Sequence, residues 1–160
     1  MNNIYRSNIG AAALIALQDG RTRWSPGDIL RPEVQPDLTP YAALIDPDGT
    51  MEMSMTVYLI ESEGSRVLVD TGLADQEMPR RSMDEHSHLL ECLEEADVSA
   101  ASIDFVVHTH LHFDHVGWNT YHDGSTWEPT FPNAKHLIQQ RDWEHWVLGP
   151  QGFPGPDIER

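Results

Sequence analysis

His110-Leu111-His112-Phe113-Asp114-His115 places three histidines and one aspartate within six residues, directly after the apolar run Ile103-Asp104-Phe105-Val106-Val107. Imidazole nitrogens and carboxylate oxygens are the donors that zinc and similar borderline metals take, at about 2.0–2.2 Å. A loop at the end of a buried strand can turn successive side chains inward. His110 and His112 are two apart, so in extended backbone they project to the same side and can share one metal. Asp114 and His115 follow as the chain turns at Gly117, where they can face a second metal beside the first. Four ligand-type residues at this spacing outweigh the alternative, histidines that merely decorate a surface loop. Two metals side by side would share a bridging hydroxide, a water whose pKa falls towards neutrality and which becomes a nucleophile.

Working outward from the motif, the run 103–107 reads as a buried strand feeding the histidine segment. Upstream, Met53 to Glu61 and Arg66 to Asp70 read as two strands joined by a turn at Gly64-Ser65. Residues 9–18 alternate weakly and end at Asp19-Gly20, a hairpin signal, with a second strand expected near Arg21–Trp24. The stretch 25–50 holds Pro26, Pro32, Pro36, Pro40 and Pro47 and reads as a long, lid-like loop. Asp84 to Asp97 carries Leu89, Leu90, Leu93 and Ala96 on one helical face. Downstream, His136 to Gln139 reads as a strand, Arg141 to Val147 as one or two helical turns, and the Gly/Pro-rich tail from Gly149 as loop. The proline-rich segment and the tail are expected to be the least rigid parts, because such loops carry few ladder hydrogen bonds. Strand pairs, then a helix, then a strand is an α/β order, and the 160 residues are read as one domain.

Composition narrows the partners. Formal charge is −16, from 10 basic and 26 acidic residues. Nucleic acids need Lys and Arg to neutralise phosphates, and anionic membrane surfaces need them too, so both are disfavoured. Cys92 is the one cysteine, so no intramolecular disulfide forms, which fits a reducing compartment. It reads as a buried bystander. The longest apolar run, Ile9 to Leu17, is too short to span a bilayer. No signal-peptide cleavage pattern follows it, and the cytoplasm is the expected location.

Thr109-His110-Leu111-His112-Phe113-Asp114-His115-Val116-Gly117 resembles the T-H-x-H-x-D-H-x-G signature of the metallo-β-lactamase superfamily. Val67-Leu68-Val69-Asp70-Thr71-Gly72 resembles that family's apolar strand ending in D-T-G, and residues 103–107 resemble the strand that feeds the motif. Phe131-Pro132-Asn133-Ala134-Lys135, with Gly117-Trp118-Asn119, points to its lactonase-like branch. The resemblance implies an αββα sandwich and a dinuclear zinc hydrolase that opens a small-molecule ester or lactone. It implies that His110 and His112 bind one metal and that Asp114 and His115 bind the other, with Asp114 the carboxylate taking part in catalysis. Asp70 would orient the site from behind, or else serve as a turn-forming Asp beside Thr71-Gly72. Phe113 would line the substrate mouth.

The family supplies further ligands well downstream of the motif: a third histidine, a bridging aspartate and a last histidine. His136 reads better as a strand residue, His145 as a helix-surface or packing residue, and His108 as a strand residue sharing the face of His110. His86 and His88 read as solvated helix positions, and His122 and Asp123 as an exposed turn. The sequence therefore resembles the N-terminal half of the sandwich, and an oligomer or a missing C-terminal half is expected. Thioester, β-lactam or phosphotriester hydrolysis are the near alternatives to lactone opening. A nuclease is disfavoured by charge, and a di-iron reductase by His112, which stands where that class carries glutamate. A non-catalytic fragment with an incomplete site is the remaining alternative.

Overall fold

In the computed structural model, which describes residues 3–29, 37–74 and 87–149, the chain opens with a hairpin. β1 (Ile4–Ile9) and β2 (Ala12–Trp24) are antiparallel and turn at Gly10-Ala11, with Gly10 at φ +62°. The hairpin expected at Asp19-Gly20 is not formed. β2 runs through that dipeptide as one strand, replacing the two expected, and its register on the next strand shifts between Gln18 and Gly20. Asp19 is thus the extra residue of a β-bulge. An Asp-Gly turn needs solvent at its tip, whereas Asp19 is 0% exposed with its carboxylate hydrogen-bonded. Alternation shows the same break. Ile15 and Leu17 are buried between half-buried Leu14 and Ala16, but Gln18, Asp19 and Gly20 are all buried.

Within 25–50, expected as loop throughout, α1 (Pro26–Ile29) and a 3₁₀ turn over Thr39–Leu44 occur. Pro26 and Pro40 stand at or next to the starts of these turns, where a fixed φ is pre-organised for helix. β3 (Met51–Ser62) and β4 (Ser65–Val69) form a tight hairpin. Its two loop residues, Glu63 and Gly64, both have positive φ, as a type I′ turn requires. α2 (Leu89–Glu95) is shorter than the helix expected over 84–97, of which residues 84–86 lie outside the described ones. Leu89, Cys92 and Leu93 turn inward from it. β5 (Phe105–Val107) then pairs parallel with β4.

After β5 come α3 (Phe113–Val116), a small hairpin of β6 (Thr120–His122) and β7 (Trp127–Pro129), then β8 (Lys135–Leu137). α4 (Gln140–Asp142) and a wide turn over Trp143–Val147 follow. β8 pairs parallel with β5, closing a six-stranded mixed sheet of order β1-β2-β3-β4-β5-β8. Ile15, Leu17, Val57, Leu59, Leu68 and Val106 form the buried face on which α2 packs, and Phe131 joins it. Each fully buried aliphatic of this kind contributes about 1.5–3 kcal/mol. Among the described residues no helix is long and apolar enough to cross a membrane. The expected tail loop lies outside the described residues from Pro150 onward.

Because β4 and β5 are parallel neighbours, the loops leaving their carboxyl ends meet. The peptide N–H of Gly117 donates to the Gly72 carbonyl at 2.8 Å. A Cβ on Gly72, itself at φ +64°, would overlap the Asp19 carboxylate, and a Cβ on Gly117 would land on the Leu73 backbone. Gly117→Ala is therefore expected to cost about 1–3 kcal/mol of stability through backbone displacement. Gly27→Ala, whose new methyl meets only the Ser25 hydroxyl at 3.7 Å, should stay within about 1 kcal/mol of the parent chain. Urea denaturation of the two variants checks this.

Candidate metal centre

β4 delivers Asp70 and β5 delivers Thr109 to the same place. Asp70 adopts a left-handed φ of 64°, which Asp tolerates better than most residues. Its peptide N–H donates to the Val107 carbonyl at 2.9 Å, so the carboxylate is carried across the end of β5. There it accepts three hydrogen bonds. Oδ1 takes the Thr109 N–H at 2.8 Å, and Oδ2 takes the Thr109 hydroxyl at 2.7 Å and His115 Nδ1–H at 2.8 Å. Burial alone would raise its pKa, but the bonds from His115 and Thr109 outweigh that and hold the carboxyl below its ordinary value. The same Asp70 bond raises His115, against the effect of burial.

This network assigns ring tautomers. His115 gives its Nδ1 proton to Asp70, which leaves the Nε2 lone pair free. Nε2 faces Asp114 Oδ2 at 3.5 Å. Thr109 spends its hydroxyl proton on Asp70, so its oxygen accepts from His110 Nδ1 at 3.0 Å. His110 Nε2 is then unprotonated, and it accepts a hydrogen bond from His112 Nδ1 at 3.1 Å. Burial and the neighbouring His115 and His112 rings lower the pKa of His110, which favours the neutral, metal-binding form. The His110 and His115 rings lie 4.0 Å apart between centroids, so the two donor pairs adjoin.

The four motif side chains are thus brought together on one side of the loop, two from extended backbone and two from the first turn of α3, of which His112 is the N-cap. Among the described residues no group of three or more His, Cys, Asp or Glu stands as a complete metal cage. What is present is two adjoining pairs, each able to give a metal two donors. Asp70 sits behind the loop, hydrogen-bonded to Thr109 and His115. Phe113 is half-buried at the start of α3.

The remaining histidines fall elsewhere. His108 is buried, its Nδ1 3.9 Å from Asp70 Oδ1, with its ring 5.7 Å from that of His136 on β8. Among the described residues neither His108 ring nitrogen has a hydrogen-bond partner, and burial pushes its pKa down to about 4. His145 is exposed and stacks edge-on against Trp146 at 4.6 Å. His122 pairs with Trp127 across the small hairpin, His88 pairs with Glu91, and His86 lies outside the described residues.

Two participants escape a reading of the sequence. Thr109 lies inside the motif but looks like a spacer, and only its position between Asp70 and His110 shows that it passes the carboxylate's influence to that ring. Trp146 presents its ring edge-to-face to His112 at 5.4 Å from a distant turn, which no local pattern announces.

A family model described as the metallo-beta-lactamase superfamily matches residues 53–159. N-acyl homoserine lactonases from Bacillus cereus and from Bacillus thuringiensis subsp. kurstaki are each 23% identical, covering 62% of this chain and 42% of theirs. The chain therefore spans under half the length of these curated relatives. A probable metal-dependent hydrolase from Staphylococcus aureus superposes with a TM-score of 0.75 at 24% identity, over 89% of this chain and 52% of that one. A dizinc quorum-quenching lactonase in complex with a product superposes at 0.73 and 21% identity, over 91% and 47%. These likenesses establish the α/β sandwich type anticipated from the motif, with about half of each neighbour covered.

Asp70→Asn tests the carboxylate. An amide would turn a donor towards Thr109 or His115, and loss of such charge-assisted bonds costs about 2–3 kcal/mol. A depressed folded pKa contributes stability that is complete above the ordinary value of 3.8 and disappears as pH falls through the folded value. The gap in unfolding free energy between parent and variant, measured by urea in the metal-free chain, should be full near neutrality and narrow in acid. In the variant His115 should also titrate at lower pH.

Proposed function

The chain belongs to the metallo-beta-lactamase superfamily, and from that premise we propose that it works as a dinuclear zinc hydrolase that opens a lactone or ester. The observation that carries this reading is the pair of unprotonated imidazole nitrogens, His110 Nε2 and His115 Nε2, each set by hydrogen bonds that end on Asp70 and each beside a second ligand-type side chain, His112 or Asp114. His110 and His112 would hold one zinc, and Asp114 and His115 the other. When bound, such a pair lowers the pKa of water and polarises an acyl oxygen.

The chain's own residues do the rest. Asp70 and Thr109 keep both Nδ1 protons engaged, so neither ring can turn a proton towards the metals. Asp114 is the one acid among the four donors. It can carry a proton from the attacking water to the leaving alkoxide, which is the transfer that ring opening requires. Phe113 and Trp146 provide apolar surface beside the donors for the substrate's non-reacting part. The names of the Bacillus relatives make N-acyl homoserine lactones the first substrates to try. A net charge of −16 favours an uncharged lactone over anionic β-lactams and over nucleic acid. The single cysteine, buried and unpaired, suits a reducing cytoplasm.

The test is direct. Strip metal with chelator, restore zinc, count bound metal by elemental analysis, and follow acid release from N-acyl homoserine lactones and simple esters in a pH-stat. Zinc-dependent opening that falls at least about 100-fold in His110→Ala and His112→Ala is expected, more than an outer partner's loss would give. Turnover that survives chelation, or two bound zinc ions with no opening of any lactone or ester, overturns the proposal.

A further inference from the structure

Asp19 is fully buried, and the reaction described above makes no use of it. Burying a carboxylate costs several kcal/mol unless donors surround it, and here they do. Oδ2 accepts the Leu73 N–H at 2.7 Å, and Oδ1 accepts the Leu89 N–H at 3.0 Å and the Ser87 hydroxyl. Burial pushes its pKa up, and these same bonds oppose the rise. Trp118 Nε1–H donates to Ser87 Oγ at 2.6 Å, which directs the Ser87 proton at Asp19. Every group on the carboxylate is a donor, so the surroundings are built for its ionised form.

A purely structural role, capping the start of α2, accounts for the Leu89 bond but not for the one to Leu73. Leu73 lies in the loop that begins at Asp70, and Thr71 and Gly72 between them are tied to residues 115–118. Thr71 N–H donates to the His115 carbonyl at 2.9 Å, Gly72 accepts from Gly117, and the Thr71 carbonyl accepts from Trp118 N–H at 3.1 Å. The contacts close a ring: Asp19 to Leu73, Gly72 to Gly117, Trp118 to Ser87, and Ser87 back to Asp19. Gly72 lies against the Asp19 carboxylate so closely that no side chain fits between them.

We infer that Asp19 is a positioning residue of the metal centre, fixing the 70–73 loop so that Asp70 meets Thr109 and His115. The inference rests on the reading of that site as a zinc centre, but its first readout needs no metal. In Asp19→Asn one side of the side chain becomes a donor and confronts Leu73 N–H, or else Ser87 and Leu89. The loop then loses its tie, and Asp70 no longer holds one tautomer on His115.

The full-length chain is compared as parent, Asp19→Asn, Ser87→Ala and Leu93→Ala, the last a core variant that lowers stability away from the ring. Ring nitrogen chemical shifts, read by long-range proton–nitrogen NMR on the metal-free chain, report the tautomers of His110 and His115. Asp19→Asn should shift His115 from one tautomer to a mixture and weaken zinc binding, measured against a competing chelator, by about 10–100-fold. Ser87→Ala should move both readouts the same way by less, and Leu93→Ala should move neither. If Asp19→Asn folds with parental ring signals and zinc affinity, the inference is wrong. If it does not fold, unchanged ring signals in Ser87→Ala decide against it. Shifted rings in a chain that opens no lactone or ester would leave Asp19's role standing and remove the hydrolase reading instead.

Discussion

The Asp70 carboxylate, with Thr109 and His115 as its three donors, is the contact on which the histidine segment depends. A free imidazole exchanges its proton between two nitrogens and rotates about its side-chain bonds. A ring whose Nδ1 proton is held by a buried carboxylate does neither. Asp70 acts on His115 directly and on His110 through the Thr109 hydroxyl, so one acid sets two rings. Its own place is fixed by backbone: a left-handed turn at the end of β4 and a hydrogen bond from its peptide N–H to the Val107 carbonyl at the end of β5. The parallel pairing of two strands is thereby converted into the protonation pattern of two side chains.

The support behind that carboxylate is stiff. Between Asp70 and Leu73 the loop is clamped by Asp19 on one side and by residues 115–118 on the other. Both glycines at the interface stand where a methyl group would strike backbone or carboxylate. This gives physical content to the D-T-G and D-H-x-G patterns: the first glycine lets Asp19 approach, and the second lets α3 approach. A site held by packed backbone keeps its donors within the narrow tolerance that chemistry at a metal requires.

The motif and the strands on either side of it are legible in the sequence because each is local. The β-rich runs over 57–60 and 66–69, the turn at Gly64-Ser65 between them, and a β-branched run into the histidines need only neighbouring residues to be recognised. Asp19-Gly20 shows where such reading stops. The dipeptide is a strong turn signal, yet it lies mid-strand because its side chain has partners 54 and 70 residues away. A long-range network overrides local turn preference, and the chain turns at Gly10-Ala11 instead. Trp146 is illegible for the same reason. Its place beside His112 depends on β8 adding to the sheet next to β5, a pairing of residues about thirty apart.

The spacing H-x-H-x-D-H follows from a change of backbone period at one residue. Residues 110–112 lie before the helix, with His112 itself extended at φ −73° and ψ 157°. Residues two apart therefore share a side, and His110 meets His112. From Phe113 the chain is helical, where neighbours two apart diverge and adjacent residues stand about 100° apart. Asp114 and His115 are consecutive there, with His115 Nε2 3.5 Å from Asp114 Oδ2, and Phe113 is half-buried at the start of the same turn. An insertion of one residue before Asp114 would rotate both of its donors by that angle, away from Asp70 as well as from His110. The length of the motif thus registers the end of a strand against the first turn of a helix.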